Sequence, residues 1–347
     1  MKITPIVGLE IHIQIKTLTK AFCSCSTDYF GQEPNTHVCP VCMGLPGALP
    51  VPSRELISRA VLLGLALDPT HTGKNLNRIS RFDRKNYFYP DLPKGYQISQ
   101  YYAPIIIGGE VKITGKTIEV SEAHIEEDAA KSLHESDRTL VDYNKSSMPL
   151  FEIVSKPQMS SGSEAEEYAK NVQQIIRYLG ISDADIEKGS MRVEPTVNVQ
   201  IETDEGKTVY TPLTEIKNIA SLKFARDAIE YEIKRQVREY QENGTIKTPD
   251  NKTTRGWDAD KGATFPQRDK EGAADYRYFP EPDIPSIVVS SEMISEQKDR
   301  LPELPSEKIE RYMSLGISEV DAKIIALDPL FAKKFDSVIS ESSNKEY

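Results

Sequence analysis

Two stretches far apart in the chain each combine a histidine with carboxylates at a spacing of two. Val7-Gly8-Leu9-Glu10-Ile11-His12-Ile13-Gln14-Ile15 alternates apolar and polar residues, and the run from Thr117 to Asp128 carries Glu122, His124, Glu126, Glu127 and Asp128. A period of two marks a β-strand with one apolar and one polar face. Glu10 and His12 then project the same way, about 7 Å apart along the strand. In the second stretch Glu122, His124 and Glu126 share a face, Asp128 continues it and Glu127 opposes it. A carboxylate beside an imidazole on an ordered strand can hold a divalent cation or handle protons. Taken singly, either stretch also reads as a solvated strand face. Taken together they predict two strands meeting in one antiparallel sheet, because consecutive acids on a strand that needs burial are costly unless a cation compensates.

A second constellation is made of the four cysteines, all within residues 23–42. Cys23 and Cys25 form a C-x-C pair, 13 residues intervene, and Cys39-Pro40-Val41-Cys42 forms a C-x-x-C pair. Two close pairs at two knuckles suit a tetrahedral Zn²⁺ site, and four thiolates leave no open position, so its role is expected to be structural. The plain alternative is four reduced thiols. A third stretch, Phe82-Asp83-Arg84-Lys85-Asn86-Tyr87-Phe88-Tyr89-Pro90-Asp91-Leu92-Pro93-Lys94-Gly95-Tyr96-Gln97, interleaves basic groups with aromatic rings. It could stack a base and pair a phosphate, or be a packed loop; its prolines and Gly95 predict loop rather than a continuous element.

The elements that must position these residues follow from periodicity. Ser53 reads as the N-cap of a helix with Leu56, Ala60, Leu63 and Leu67 on its apolar side. Ser163-Glu164-Ala165-Glu166 reads as a capping box for a helix through Ala169, Val172, Ile175, Ile176 and Leu179 that stops at Gly180. Residues 191–202 read as a strand with Val193, Val197, Val199 and Ile201 inside and Arg192, Glu194, Thr196 and Asn198 on the other face. Asp204-Glu205-Gly206 reads as a hairpin turn into a return strand that puts Glu215 and Lys217 on one face and is made irregular by Pro212. A helix with Leu222, Ala225, Ile229 and Ile233 follows, then a polar loop or hairpin over 241–262. Asp275-Tyr276-Arg277-Tyr278-Phe279-Pro280-Glu281-Pro282-Asp283 cannot be helical and is expected to pack its rings against a larger body. From Leu301 onward Ile309, Tyr312, Ile317, Val320, Ile324 and Leu327 sit at helical spacings interrupted at Gly316, and the polar end, Ile339 to Tyr347, shows no closing cap.

A chain of 347 residues allows two or three domains. With 43 Lys and Arg against 53 Asp and Glu, a net charge of −10, overall charge does not steer it to nucleic acid; RNA contact would need a local basic patch or a partner. No apolar run is long enough to span a membrane, and the N-terminus runs directly into a strand rather than a signal peptide. The expected location is the cytoplasm.

Several motifs, taken in order, resemble those of the B subunits of the aspartyl/glutamyl-tRNA amidotransferases. They are Gly8-Leu9-Glu10-Ile11-His12, Cys39-Pro40-Val41-Cys42, the stretch from Arg84 to Gln100, His124-Ile125-Glu126-Glu127-Asp128, Val141-Asp142-Tyr143-Asn144, Glu215-Ile216-Lys217-Asn218, Thr254-Arg255-Gly256-Trp257 and Asp275 to Pro282. The resemblance implies an α+β fold: an antiparallel-sheet cradle similar to glutamine synthetase over residues 1–295, a zinc-knuckle insertion at about 21–45, and the beginning of a helical domain over 296–347. It implies a three-subunit enzyme in which the amidase, or A, subunit releases ammonia and the small C subunit braces the pair. The B subunit then phosphorylates the side-chain carboxylate of Glu-tRNA(Gln) or Asp-tRNA(Asn) with ATP, and ammonia displaces the phosphate. Phosphoryl transfer to a carboxylate needs Mg²⁺. On the matching positions the expected ligands are Glu10, His12 and Glu126, with Glu127, Asp128 and Glu215 as further candidates. Lys217 and Arg192 are expected to stabilise the transferring group, and Glu194, Glu215 and Lys85 to complete the nucleotide site. Where the family usually reads Gly-Ser-Met-Arg-Cys-Asp-Ala-Asn-Val-Ser, this chain has Gly189-Ser190-Met191-Arg192-Val193-Glu194-Pro195-Thr196-Val197-Asn198, keeping the arginine and lengthening the acid. Family members also continue through more helices into a tRNA-gripping tail, so the chain is read as ending inside the helical part without that tail. Two other readings stay open at this point: a stand-alone ATP-dependent carboxylate–amine ligase, and a non-catalytic zinc-containing RNA-binding scaffold.

Overall fold

In the computed structural model the alternating N-terminal stretch is a central strand of the molecule. The structure describes residues 1–267 and 276–342; Asp275 of the aromatic motif and residues 343–347 of the polar end lie outside them. In chain order the elements are β1 (Lys2–Gln14), α1 (Arg54–Leu67), β2 (Ile79–Ser80), β3 (Asp83–Asn86), β4 (Tyr96–Ser99), β5 (Glu110–Ile113), β6 (Lys116–Glu127), β7 (Lys131–His134), β8 (Thr139–Asp142), β9 (Pro149–Ser155), α2 (Gly162–Tyr178), β10 (Met191–Glu202), β11 (Thr208–Tyr210), β12 (Thr214–Lys217), α3 (Leu222–Asn243), β13 (Thr253–Asp258), β14 (Ala263–Pro266), β15 (Phe279–Pro280), β16 (Ile287–Val288), α4 (Ser291–Lys298), α5 (Pro305–Ser314), α6 (Glu319–Ala326) and α7 (Pro329–Ser342).

One large sheet has the order β14-β13-β12-β10-β1-β9-β6-β5, with β11 paired to β10. All its named pairings are antiparallel except β12 with β13, so the molecule is a mixed α/β protein built on a mostly antiparallel sheet. Leu9, Ile11 and Ile13 of β1 and Ile15 just after it are buried, as are Val193 and Val197 of β10. They form one core with Tyr168, Val172 and Ile176 of α2 and Ala225 and Ile229 of α3. The helices therefore cover the apolar face, and the polar face is left for chemistry. At Gly162 a Cβ would stand 2.4 Å from the Arg226 carbonyl oxygen, so only glycine permits this approach of α2 to α3.

The structure corrects several boundaries. The N-cap of α2 is Ser161, whose hydroxyl accepts from Glu164 N, so the helix begins before the expected capping box. Glu164 still reaches back, accepting from Ser160 N at 2.7 Å. The segment 241–262 combines both expected forms with more regular structure than expected: α3 runs to Asn243, a loop follows, and Thr253–Asp258 is β13, which forms a hairpin with β14 and is also a parallel partner of β12. Polar composition hid this strand because its neighbours, not its own pattern, define it. The aromatic stretch is a loop flanked by the paired strands β3 and β4, with β15 on the outer side of β3. The two histidine-bearing strands lie in one sheet but are not neighbours, because β9 separates them. Beyond α4, Tyr312, Ala322 and Ala326 are buried with Ile309, Ile317, Ile325, Phe335 and Ile339 in a second, smaller apolar cluster. No helix among the described residues is long and apolar enough to cross a membrane.

Asp68 ends α1 and organises the turn after it. One carboxylate oxygen accepts from Thr70 N (3.0 Å) and Thr70 Oγ1 (2.8 Å). The other accepts from Thr72 N, Gly73 N and Lys74 N at 3.1, 2.9 and 3.2 Å. Burial of the carboxylate opposes ionisation, but the Thr70, Thr72 and Lys74 donors outweigh it and hold the group well below the usual range. Asp68→Asn is expected to lower stability by about 1–3 kcal/mol at neutral pH, since an amide NH₂ turned toward these donors leaves them unpaired. The native pKa is depressed, so the contribution is fully present above the unfolded carboxylate value of about 4, begins to shrink below it and is lost in full only as pH falls through the depressed native value. Urea midpoints of both proteins at pH 7 and at pH 3.5 measure this; a gap that fails to narrow at the lower pH contradicts the assignment.

Candidate active site

The register of four strands sets out one polar row. Across β10, β1, β9 and β6, Arg192 stands opposite His12, His12 opposite Glu152, and Glu152 opposite His124. Glu152 Oε2 lies 3.3 Å from His12 Nε2 and 3.2 Å from His124 Nε2. Glu126 Oε1 is 3.5 Å from His12 Nε2. Ligand atoms of His12, Glu126 and Glu152 all fall within 4.8 Å of one another, a three-ligand cluster that can share a cation.

Electrostatics bind this row together. Burial alone would lower the His12 pKa, but Glu152, followed by Glu126 and Glu194, pushes it up to about 9. His124 is pushed up to about 10 against the same burial penalty, by Glu152, Glu122 and Glu126. Glu152 is held well below the usual carboxylate range despite burial, because both imidazoles face it. Glu126 moves the other way: burial and the Glu152 charge raise it.

A second cluster lies one strand period along β1. Glu10 stands opposite Glu194 of β10, and Glu215 stands opposite Thr196. Ligand atoms of Glu10, Glu194 and Glu215 also fall within 4.8 Å of one another. Lys217 Nζ bridges this cluster's edge, 3.1 Å from Glu194 Oε2 and 3.2 Å from Glu215 Oε1. Asn218, with φ of +61°, turns the chain away directly after Lys217.

The structure thus divides the six magnesium candidates. It brings His12 and Glu126 together, and places Glu10 and Glu215 in the neighbouring cluster. Glu127 points to the other side of β6, where it is 2.5 Å from Lys94 Nζ and accepts from Ile98 N at 2.9 Å. Asp128 is engaged by Lys145 at 2.8 Å and Arg192 at 3.3 Å, and these cations hold it ionised against its burial. Lys85 sits 5.0 Å from the Tyr276 ring centroid. That ring belongs to an aromatic wall in which Tyr101 and Tyr278 stack at 4.3 Å, and Arg84 forks onto Glu281 at 2.6 and 2.9 Å. Glu152 is the residue sequence reasoning missed. Its signal was an acid inside the otherwise apolar run Leu150-Phe151-Glu152-Ile153-Val154, a residue that burial would force to find a cationic partner.

The sulfurs of Cys23, Cys25, Cys39 and Cys42 lie within 4.8 Å of one another. A tetrahedral zinc with Zn–S of about 2.3 Å spaces its sulfurs by about 3.8 Å, so the donor set and its closure fit that ion. Cys39 N donates to Cys42 Sγ at 3.2 Å, the kind of bond a thiolate accepts.

Residues 5–295 match the family profile described as the GatB/GatE catalytic domain. The chain belongs to this family. Three of its relatives are named as the B subunit of aspartyl/glutamyl-tRNA(Asn/Gln) amidotransferase. The one from Thermosipho melanesiensis is 44% identical over 99% of this chain and 71% of its own length. The Thermotoga maritima relative is 45% identical over 98% of this chain and 70% of its own. The Thermus thermophilus relative is 45% identical over 96% of this chain and 68% of its own. Every residue of the two carboxylate clusters lies inside the span that the GatB/GatE profile matches.

Two outcomes are expected of this GatB/GatE domain. Glu152→Gln removes the carboxylate shared by both histidines and should weaken Mn²⁺ binding by about 100-fold or more, since losing even an outer partner of a ligand costs 10–100-fold. Titration calorimetry reads this, and unchanged affinity in a folded variant contradicts the cluster. Cys39→Ser should lower the zinc content of purified protein, read by elemental analysis, from one ion per chain to well below it.

Proposed function

We propose that this chain is the carboxylate-activating component of a tRNA-dependent amidotransferase, working in the cytoplasm with an amidase partner and a small bracing partner. Its substrates are ATP and a mischarged tRNA, Glu-tRNA(Gln) or Asp-tRNA(Asn). A carboxylate is a poor acyl donor because its leaving group would be oxide. Attack of the side-chain carboxylate oxygen on the γ-phosphorus of ATP breaks the bond to ADP and gives an acyl phosphate. Ammonia then attacks the carbonyl carbon, phosphate leaves, and the nitrogen loses a proton to give the amide. The enzyme class is an ATP-dependent carbon–nitrogen ligase with glutamine as amido donor. We read the sheet as a cradle of the glutamine synthetase kind over residues 1–295, with the helices after 296 opening a further domain.

The observation that carries the reading is the pair of three-ligand clusters on one sheet face, anchored by Glu10 and His12 of the same strand. Mg²⁺ held there would neutralise phosphate charge and align the reactants. His12, Glu126 and Glu152 offer one position and Glu10, Glu194 and Glu215 the other. Lys217 and Arg192 supply fixed positive charge at the rim, where the equatorial oxygens of the transferring group need it. Their side chains are 35% and 45% exposed, so both remain reachable from the open side. Lys85, beside the tyrosine wall, provides a third cation for phosphate.

ADP formation tests this directly, with the amidase partner, Mg²⁺ and Glu-tRNA(Gln) present. ADP is expected only with charged tRNA, and Glu10→Ala or Glu152→Gln should reduce the rate by about 100-fold or more, as loss of a charge-stabilising group in phosphoryl transfer does. A wild-type rate in either folded variant, or hydrolysis indifferent to charged tRNA, contradicts the proposal.

A further inference from the structure

Lys20 is a fully buried lysine, with 0% of its surface exposed. An ammonium taken from water is costly unless an anion meets it. No carboxylate among the described residues lies within ion-pair distance of Lys20. Its Nζ instead lies 3.8 Å from Cys42 Sγ and 3.3 Å from the Tyr143 carbonyl oxygen. Cys42 Sγ already accepts from Cys39 N, so two donors converge on this one sulfur. The backbone fixes the approach: Lys20 N donates to Cys25 O at 2.9 Å, and Ala21 N to Ser147 O at 3.0 Å.

Four thiolates around a dication leave two surplus negative charges. A buried cation at one sulfur removes one of them, and N–H donors on a thiolate draw off electron density that would otherwise repel the other sulfurs. From this juxtaposition we infer that Lys20 is the positioning residue of the cysteine knuckle: it balances the thiolate charge of the metal-bound form and ties Cys42 to the Tyr143 turn. The inference rests on the reading that the knuckle holds a zinc ion.

The same contact reaches toward the active face. Tyr143 opens the short 3-10 turn Tyr143–Lys145, and Lys145 holds Asp128 at 2.8 Å. Ser146 Oγ also donates to Cys42 O at 3.3 Å. A knuckle whose charge is balanced by Lys20 therefore holds the turn that carries Lys145.

The test uses the full chain loaded with zinc, and compares wild type with Lys20→Met and with Lys20→Gln, which keeps a donor for the Tyr143 carbonyl; Lys20→Arg is the charge rescue. Zinc release into excess EDTA should be about 10–100-fold faster in the two neutral variants and near wild type in Lys20→Arg. Cobalt substituted for zinc should keep its thiolate charge-transfer bands in all of them, showing the four sulfurs still in place. Urea midpoints of metal-loaded and metal-stripped protein give the readout that plain packing would not: the neutral variants should be weaker than wild type only when loaded. Release within twofold of wild type, or equal destabilisation of loaded and stripped protein, overturns the role of Lys20. Wild-type protein that takes up neither zinc nor cobalt overturns the knuckle reading, and the role of Lys20 with it, before any variant is made.

Discussion

The structure depends on one buried carboxylate set between two imidazoles. Glu152 is the only acid on the middle strand of β1, β9 and β6, and it meets His12 on one side and His124 on the other. Without it, His12 would keep only Glu126, at 3.5 Å, and His124 only Glu122, at 3.6 Å, as nearby counter-charges. The constraint propagates through register. A slip of β9 by one residue would send Glu152 into the apolar core and bring Phe151 or Ile153 to the polar face. The helices α2 and α3 oppose such a slip by burying the other faces of β1 and β10.

The same logic explains how three successive acids survive near the middle of the molecule. Glu126, Glu127 and Asp128 do not share a face, and each has its own positive partner. Glu126 faces His12, Glu127 is clasped by Lys94, and Asp128 is held by Lys145 and Arg192. Like charges adjacent in sequence are thereby separated in space. Lys217 repeats the arrangement at the second cluster, between Glu194 and Glu215. A surface that concentrates acids is thus stabilised by cations of the chain itself.

The cysteine knuckle reinforces the edge of this surface. His37 N donates to Asn144 Oδ1 at 2.7 Å, and Asn35 N to Asp142 Oδ1 at 3.0 Å, so the knuckle loop grips the segment that feeds β9. Lys145, on that segment, reaches Asp128. The knuckle is thus continuous with the site through backbone and side-chain hydrogen bonds, although its sulfurs take no part in the polar row.

What the sequence determined by itself was local and periodic. Alternation in residues 7–15 and 117–128 specified which side chains share a face, and the face assignments for Arg192, Glu194, Glu215 and Lys217 came from the same rule. The cysteine spacing pointed to four sulfurs gathered at one place, and the order of long motifs specified the family. Only the tertiary structure decided which faces meet. Strand order in a sheet is a long-range property, so nothing in either histidine stretch revealed that β9 would lie between them or that Glu152 would join them. For the same reason Glu10 and Glu126, equal candidates in the sequence, separate into different clusters, and β13 emerges as a strand from a polar stretch once β12 is there to pair with it. Composition also made Lys20 one lysine among many; its burial against Cys42 exists only because the fold brings residues 20, 42 and 143 to one point.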